Sequence, residues 1–89
     1  MFTGIITGIG TIESIVDAGD RSFQIGSDWD CEAIDIGASI ACSGVCLTVV
    51  QRDENSFLVT ASAETLGVTT AGNWAVGDQI NLELSLIHI

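Results

Sequence analysis

In the stretch ACSGVCLTVV, Ala41 to Val50, a thiol and a hydroxyl interrupt an apolar run at Cys46 and Thr48. Residues two apart on a strand share a side, so Cys46 and Thr48 project together while Leu47 and Val49 project the other way. Such a pair either fills a core with small side chains or lines a pocket. A nucleophilic Cys46 would need a base or cation beside it to lower a reference pKa of about 8.5. The chain offers one His, at position 88, and two arginines, Arg21 and Arg52, next to turns. Spacing alone therefore gives no Cys–His catalyst. Ser39 opens the preceding strand with Ala41 as its period-2 partner, and Thr60 and Ser62 share a side of a later segment. Small hydroxyls grouped at strand ends could hydrogen-bond a polar heterocycle, although Ser and Thr are also ordinary surface residues of strands. Cys31 and Cys42 read as fillers.

The remaining candidates are weaker. The carboxylates are scattered, and no pair stands out for acid–base work. Glu64 follows Ser62 at a helix start, where the helix dipole favours a negative charge, so capping is its simplest role. Gly8 and Gly10 form a G-x-G, but a phosphate-binding fingerprint needs a following helix, and Ile9, Thr11 and Ile12 continue as strand. Three cysteines separated by ten and then three intervening residues fit neither a disulfide framework nor a zinc site, and no metal is expected. A reducing cytoplasm is the natural setting.

The elements that must position these residues are mostly extended. Phe2 to Ile9 and Thr11 to Val16 form one long run whose glycines permit bulges and bends. A turn at Asp17–Asp20 leads to a short strand, Ser22 to Ile25, and then to a helix or loop over Asp28 to Ile34. Ala38 to Cys42 and Val45 to Gln51 pair as a hairpin across Ser43-Gly44. After Asp53-Glu54-Asn55 comes a strand from Ser56 to Ala61, then a helix capped by Ser62. Gly72-Asn73 and Gly77-Asp78 are turns, and Gln79 to Leu84 is a strand with Ile80, Leu82 and Leu84 alternating. About six short strands argue for an antiparallel barrel or sandwich. A barrel is favoured because closure removes edges that a Pro-free chain cannot otherwise protect.

With 89 residues the chain is one small domain, of a size that buries only roughly 60% of its unfolded surface. Twelve acidic against two basic residues give a net charge of −10, which argues against nucleic acid and against anionic membranes. A ligand should be neutral or nearly so. The opening MFTGIITGIG lacks a basic region and a cleavage site and is not expected to be a signal peptide, and no apolar run nears the ~20 residues of a membrane span.

Four segments, in order, resemble one family. MFTGI is similar to the amino terminus of riboflavin synthases of the alpha-chain type. GASIACSGVCLTVV resembles that family's G-x-S…G-x-C-L-T-V segment through Gly37, Ser39, Gly44, Cys46, Leu47, Thr48 and Val49. ASAETLGVTT resembles its E-T-L turn through Glu64, Thr65 and Leu66. GDQINLE resembles its V-G-D-x-V-N-L-E strand through Gly77, Asp78, Asn81, Leu82 and Glu83.

The resemblance implies an all-β fold, a six-stranded antiparallel Greek-key barrel with one or two short helices. Residues 1–84 would form the first, lumazine-binding barrel of two, and 85–89 an atypical tail that marks a truncated chain. The implied reaction converts two molecules of 6,7-dimethyl-8-ribityllumazine into riboflavin and 5-amino-6-ribitylaminouracil, one donating and one accepting a four-carbon unit, with no cofactor. Sites form between barrels of different subunits of a homotrimer; the single-barrel chain is expected to bind lumazine or riboflavin, turn over poorly, and pair with itself as a homodimer. By position, Gly4, Ile5 and Ile6 run beside the ring, Cys46, Leu47 and Thr48 meet its edge or ribityl chain, and Thr60, Ala61, Ser62, Ala63, Glu64 and Thr65 wrap the remainder. Ser39 and Cys46 are the expected catalytic groups, Phe2 and Thr3 reach into the barrel contact, and His88 is given no role. The thiol and hydroxyl of the hairpin are expected to open inward onto a cavity for a flat bicyclic ring. A non-catalytic lumazine- or flavin-binding module is the alternative.

Overall fold

A computed structural model describes residues 4–29, 31 and 34–86, with the backbone alone for 4–6, 85 and 86. Six strands are present: β1 (Gly4–Ala18), β2 (Asp20–Ser27), β3 (Ser39–Cys42), β4 (Val45–Arg52), β5 (Ser56–Ala61) and β6 (Gln79–Leu86). They close an antiparallel barrel in the order β1-β2-β5-β4-β3-β6. Helix α1 (Ala63–Val68) and a 3-10 turn (Thr70–Asn73) connect β5 to β6. The six-stranded barrel and its short helix agree with the sequence. β2 is longer than the Ser22–Ile25 core that propensity marks, because pairing with β1 continues from Asp20 to Ser27. β6 likewise runs two residues past Leu84, with Ser85 opposite Ile5 and Leu86 opposite Gly4.

Local chemistry explains the turns. The β3–β4 hairpin turns on Ser43 and Gly44, with φ of 48° and 86°, the positive-φ pair that matches the twist of a two-residue hairpin. Ser43 is further tied to β6: its amide donates to the Asn81 carbonyl at 2.7 Å, and its hydroxyl accepts from the Asn81 amide at 3.1 Å. β1 bulges between Ile12 and Ser14, which bends it enough to serve both β2 and β6.

The barrel is filled with hydrocarbon. Ile12, Phe23, Ile25, Ile40, Val49, Phe57, Val59 and Leu82 are completely buried. Trp29 stacks on Phe57 with ring centroids 6.5 Å apart, and its indole Nε1 donates to the Thr7 carbonyl at 3.3 Å. Gly8 makes room for it, since a Cβ there would lie 2.5 Å from that nitrogen. Trp74 meets Phe23 edge-on at 5.1 Å. Cys31, Ile34, Cys42, Val45, Leu47, Ala61, Ala71 and Ile80 complete the core.

Candidate functional site

β4 alternates strictly from Val45 to Val50, with Val45, Leu47 and Val49 buried and Cys46, Thr48 and Val50 exposed. Cys46 and Thr48 thus share a side, but it is the outer one. The pair opens outward, not inward onto the cavity expected from the sequence. Leu and Val gain most from leaving water, and even an eight-stranded barrel has an interior just wide enough for side chains. A six-stranded barrel packed with two Phe and several Ile residues has no room for a ring. The candidate site is a surface.

Strand register assembles that surface. Ser39 lies opposite Thr48, Thr48 opposite Thr60, and Thr60 opposite Ser22. Four outward hydroxyls therefore form one row across β3, β4, β5 and β2. At about 4.8 Å per strand the row is about 14 Å long. Cys46, opposite Ala41 on β3, stands beside it, two residues along β4 from Thr48. At the end of β5, Ser62 caps α1: its Oγ accepts from the Thr65 amide at 3.2 Å and its hydroxyl donates to Thr65 Oγ1 at 3.1 Å. Glu64 lies in the first helical turn, where the dipole favours it. Ala63 and Glu64 are exposed and Thr65 half-buried.

Two residues expected to contact ligand face elsewhere. Leu47 is 3% exposed and Ala61 2%, so their side chains belong to the core and only their backbone reaches a surface ligand. The backbone of Ile5 and Ile6 pairs with Ser85 and Leu84, and Leu84 also pairs with Ile40 on β3. On this side β6 separates β1 from β3 and the hydroxyl row, and on the other side β1 adjoins β2. The side chains of Ile5 and Ile6, and all of Phe2, Thr3 and His88, lie outside the described residues. Ser22 was missed in the sequence; its alternation with Phe23 and Ile25 signals an outward position, but its place beside Thr60 depends on long-range pairing.

The electrostatics of the face are mild. Both arginines are committed elsewhere: Arg21 Nε contacts Asp17 Oδ1 at 2.6 Å, and Arg52 donates to the Ile34 carbonyl. Cys42, one strand away and inward, is buried, and its thiol is pushed up to about 12 by burial and, secondarily, by Cys46. It is an inert filler. Among the described residues no group of His, Cys, Asp or Glu is arranged to hold a metal ion. Such a face can hold a neutral, hydroxyl-rich ligand through hydrogen bonds and bring a thiol to its edge.

Two depressions lie away from the row. One of about 580 Å³ is walled by β1, β2 and the 53–55 turn, and includes Glu13, Asp28, Asn55 and Gln79. Another of about 390 Å³ runs over β1 and β6. Neither includes Ser39, Cys46, Thr48 or Thr60.

Comparison with known proteins identifies the family. A family model described as the lumazine binding domain matches residues 3–85. The riboflavin synthase of Brucella abortus (strain 2308) is 47% identical over 92 residues, covering 97% of this chain and 46% of that protein. Those of Photobacterium phosphoreum and Bacillus subtilis (strain 168) are 40% and 39% identical, over 98% and 97% of this chain and 41% and 40% of their own lengths. The chain thus spans less than half the length of these relatives.

Proposed function

The chain belongs to the lumazine-binding domain family, and on that premise we propose that it binds 6,7-dimethyl-8-ribityllumazine or riboflavin on the outer face of β3, β4 and β5. Together with a second barrel it supports dismutation of the lumazine to riboflavin and 5-amino-6-ribitylaminouracil, as the amino-terminal half of a riboflavin synthase working in the cytoplasm. One observation carries the reading. Ser39, Thr48 and Thr60, from three neighbouring strands, stand side by side on the outer face, Ser39 and Thr48 exposed and Thr60 half-buried, with the exposed Cys46 adjacent.

The hydroxyl row suits a ribityl chain, because each hydroxyl both donates and accepts. The ring lies beside Cys46 and the start of α1, with Ser39 near the acceptor ring. Strong protein acids and bases are not required, since loss of a proton from the lumazine 7-methyl group leaves a carbanion delocalised over the ring. Holding two rings face to face supplies the rest, because orientation converts an encounter of two molecules into a unimolecular step with effective molarities of roughly 10⁵–10⁸ M. In the complete enzyme the second barrel comes from another subunit of a trimer, and the 89-residue chain alone pairs with itself.

Riboflavin titration followed by flavin emission, combined with sedimentation velocity, tests this. Saturable quenching by a dimer is expected; a monomer that leaves emission unchanged contradicts it. The second reading, a non-catalytic lumazine- or flavin-binding module, draws on the engagement of both arginines away from Cys46. Extending the chain through a second barrel and assaying riboflavin formation from the lumazine separates the two.

A further inference from the structure

The hydroxyl row has a neighbour. Cys46 lies opposite Ala41, Ala41 opposite Glu83 on β6, and Glu83 opposite Thr7 on β1. All four face outward, with Cys46, Glu83 and Thr7 exposed. Ala41 contributes only a methyl group, so a gap about 10 Å wide, two strand spacings, opens between the thiol and the carboxylate. The 390 Å³ depression over β1 and β6 has Glu83 on its wall, with Thr7, Ile9 and Asn81. The candidate face and this depression therefore meet at Glu83. It is the one charged side chain of the two rows, and among the described residues nothing donates a hydrogen bond to its carboxylate.

We propose that Glu83 is a specificity-determining residue of the ligand site, its carboxylate accepting the imide N–H of the bound bicyclic ring. The assignment rests on the ligand class proposed above. An ionised carboxylate only accepts, and a hydrogen bond to it is charge-assisted. Glu83 thus selects a ring edge that donates, while the hydroxyl row, about 7 Å away along the strands, takes the polyol. A ligand with a polyol at one end and an imide at the other spans both rows.

The test is a chemical double-mutant cycle on the 89-residue chain with riboflavin and 3-methylriboflavin, whose imide N–H is replaced by N–CH3. Wild type should bind riboflavin about tenfold more tightly than the methylated ligand, the scale of one charge-assisted hydrogen bond at a solvent-facing site. Glu83→Ala should weaken riboflavin about tenfold and bind the two flavins equally, with an unchanged melting temperature. Glu54→Gln, the loss of a charge in the β4–β5 turn, should behave as wild type. If Glu83→Ala keeps the full preference for riboflavin, or if Glu54→Gln loses as much as Glu83→Ala, the Glu83 assignment is wrong while the flavin site stands. If wild type binds neither flavin, the ligand class falls, and the assignment with it.

Discussion

Thr48→Val is the substitution that bears most directly on which face of β4 meets ligand. Valine keeps the branched shape that strands favour and removes one hydroxyl from a residue outside the core. Stability should move by no more than about 0.5 kcal/mol. A lost hydrogen bond to the polyol is worth about 1 kcal/mol, or about a fivefold weaker riboflavin Kd. Lumichrome, which has the ring but no polyol, should bind both proteins alike. One residue away the signs reverse. Leu47 is 3% exposed, and Leu47→Ala should cost about 2–5 kcal/mol in urea unfolding. That is a large share of the about 4–13 kcal/mol expected of 89 residues. Flavin quenching and urea midpoints, measured on both variants, give the comparison. If Thr48→Val unfolds like a core variant, or leaves riboflavin affinity untouched while weakening lumichrome, the assignment of faces is wrong.

Three further outcomes concern the thiols and the packing of β1. Ellman's reagent should find one fast thiol in the native chain and lose it in Cys46→Ala, because Cys46 is exposed whereas Cys31 and Cys42 are buried; a fast thiol persisting in that variant would contradict the burial pattern. Burial, and then Cys46, push the Cys42 thiol up to about 12 from 9.0; the unfolded chain gives up that proton first, so this contribution is intact below 9.0 and is lost as pH rises toward 12. Urea midpoints should fall with pH across that window, more steeply in wild type than in Cys42→Ala, and equal slopes would refute it. Gly10→Ala places a Cβ 2.5 Å from Ile25 Cγ2 and 2.9 Å from Leu82 Cδ1, so calorimetry should show destabilisation of about 1–3 kcal/mol; an unchanged Tm would mean that β1 does not pack this closely.

The β3–β4 hairpin could be read locally because Ser43-Gly44 is turn chemistry and the flanking residues alternate. The same alternation put Cys46 and Thr48 on one side without saying which side. Comparing Leu47 and Val49 with Cys46 and Thr48 settles that physically, since the more apolar pair takes the core. The cap at Ser62 was equally readable, being a side-chain oxygen three residues from an orphan amide. What could not be read was non-local. That Thr60 stands beside Thr48, Ser22 beside Thr60, and Glu83 beside Ala41 depends on which strands become neighbours when the barrel closes. Likewise Trp29 and Trp74 find Phe57 and Phe23 only once the strands have met.

The proposed site relies on a division between the two faces of one sheet. The inner face supplies stability through a filled core, and the outer face is left free to carry small hydroxyls in register. Amide chemical shifts recorded during a riboflavin titration test that division most directly. The account predicts saturable shifts concentrated at Ser39, Cys46, Thr48, Thr60 and Ser62 to Thr65. Shifts concentrated instead around Glu13, Asp28 and Asn55, or none that saturate, would contradict it.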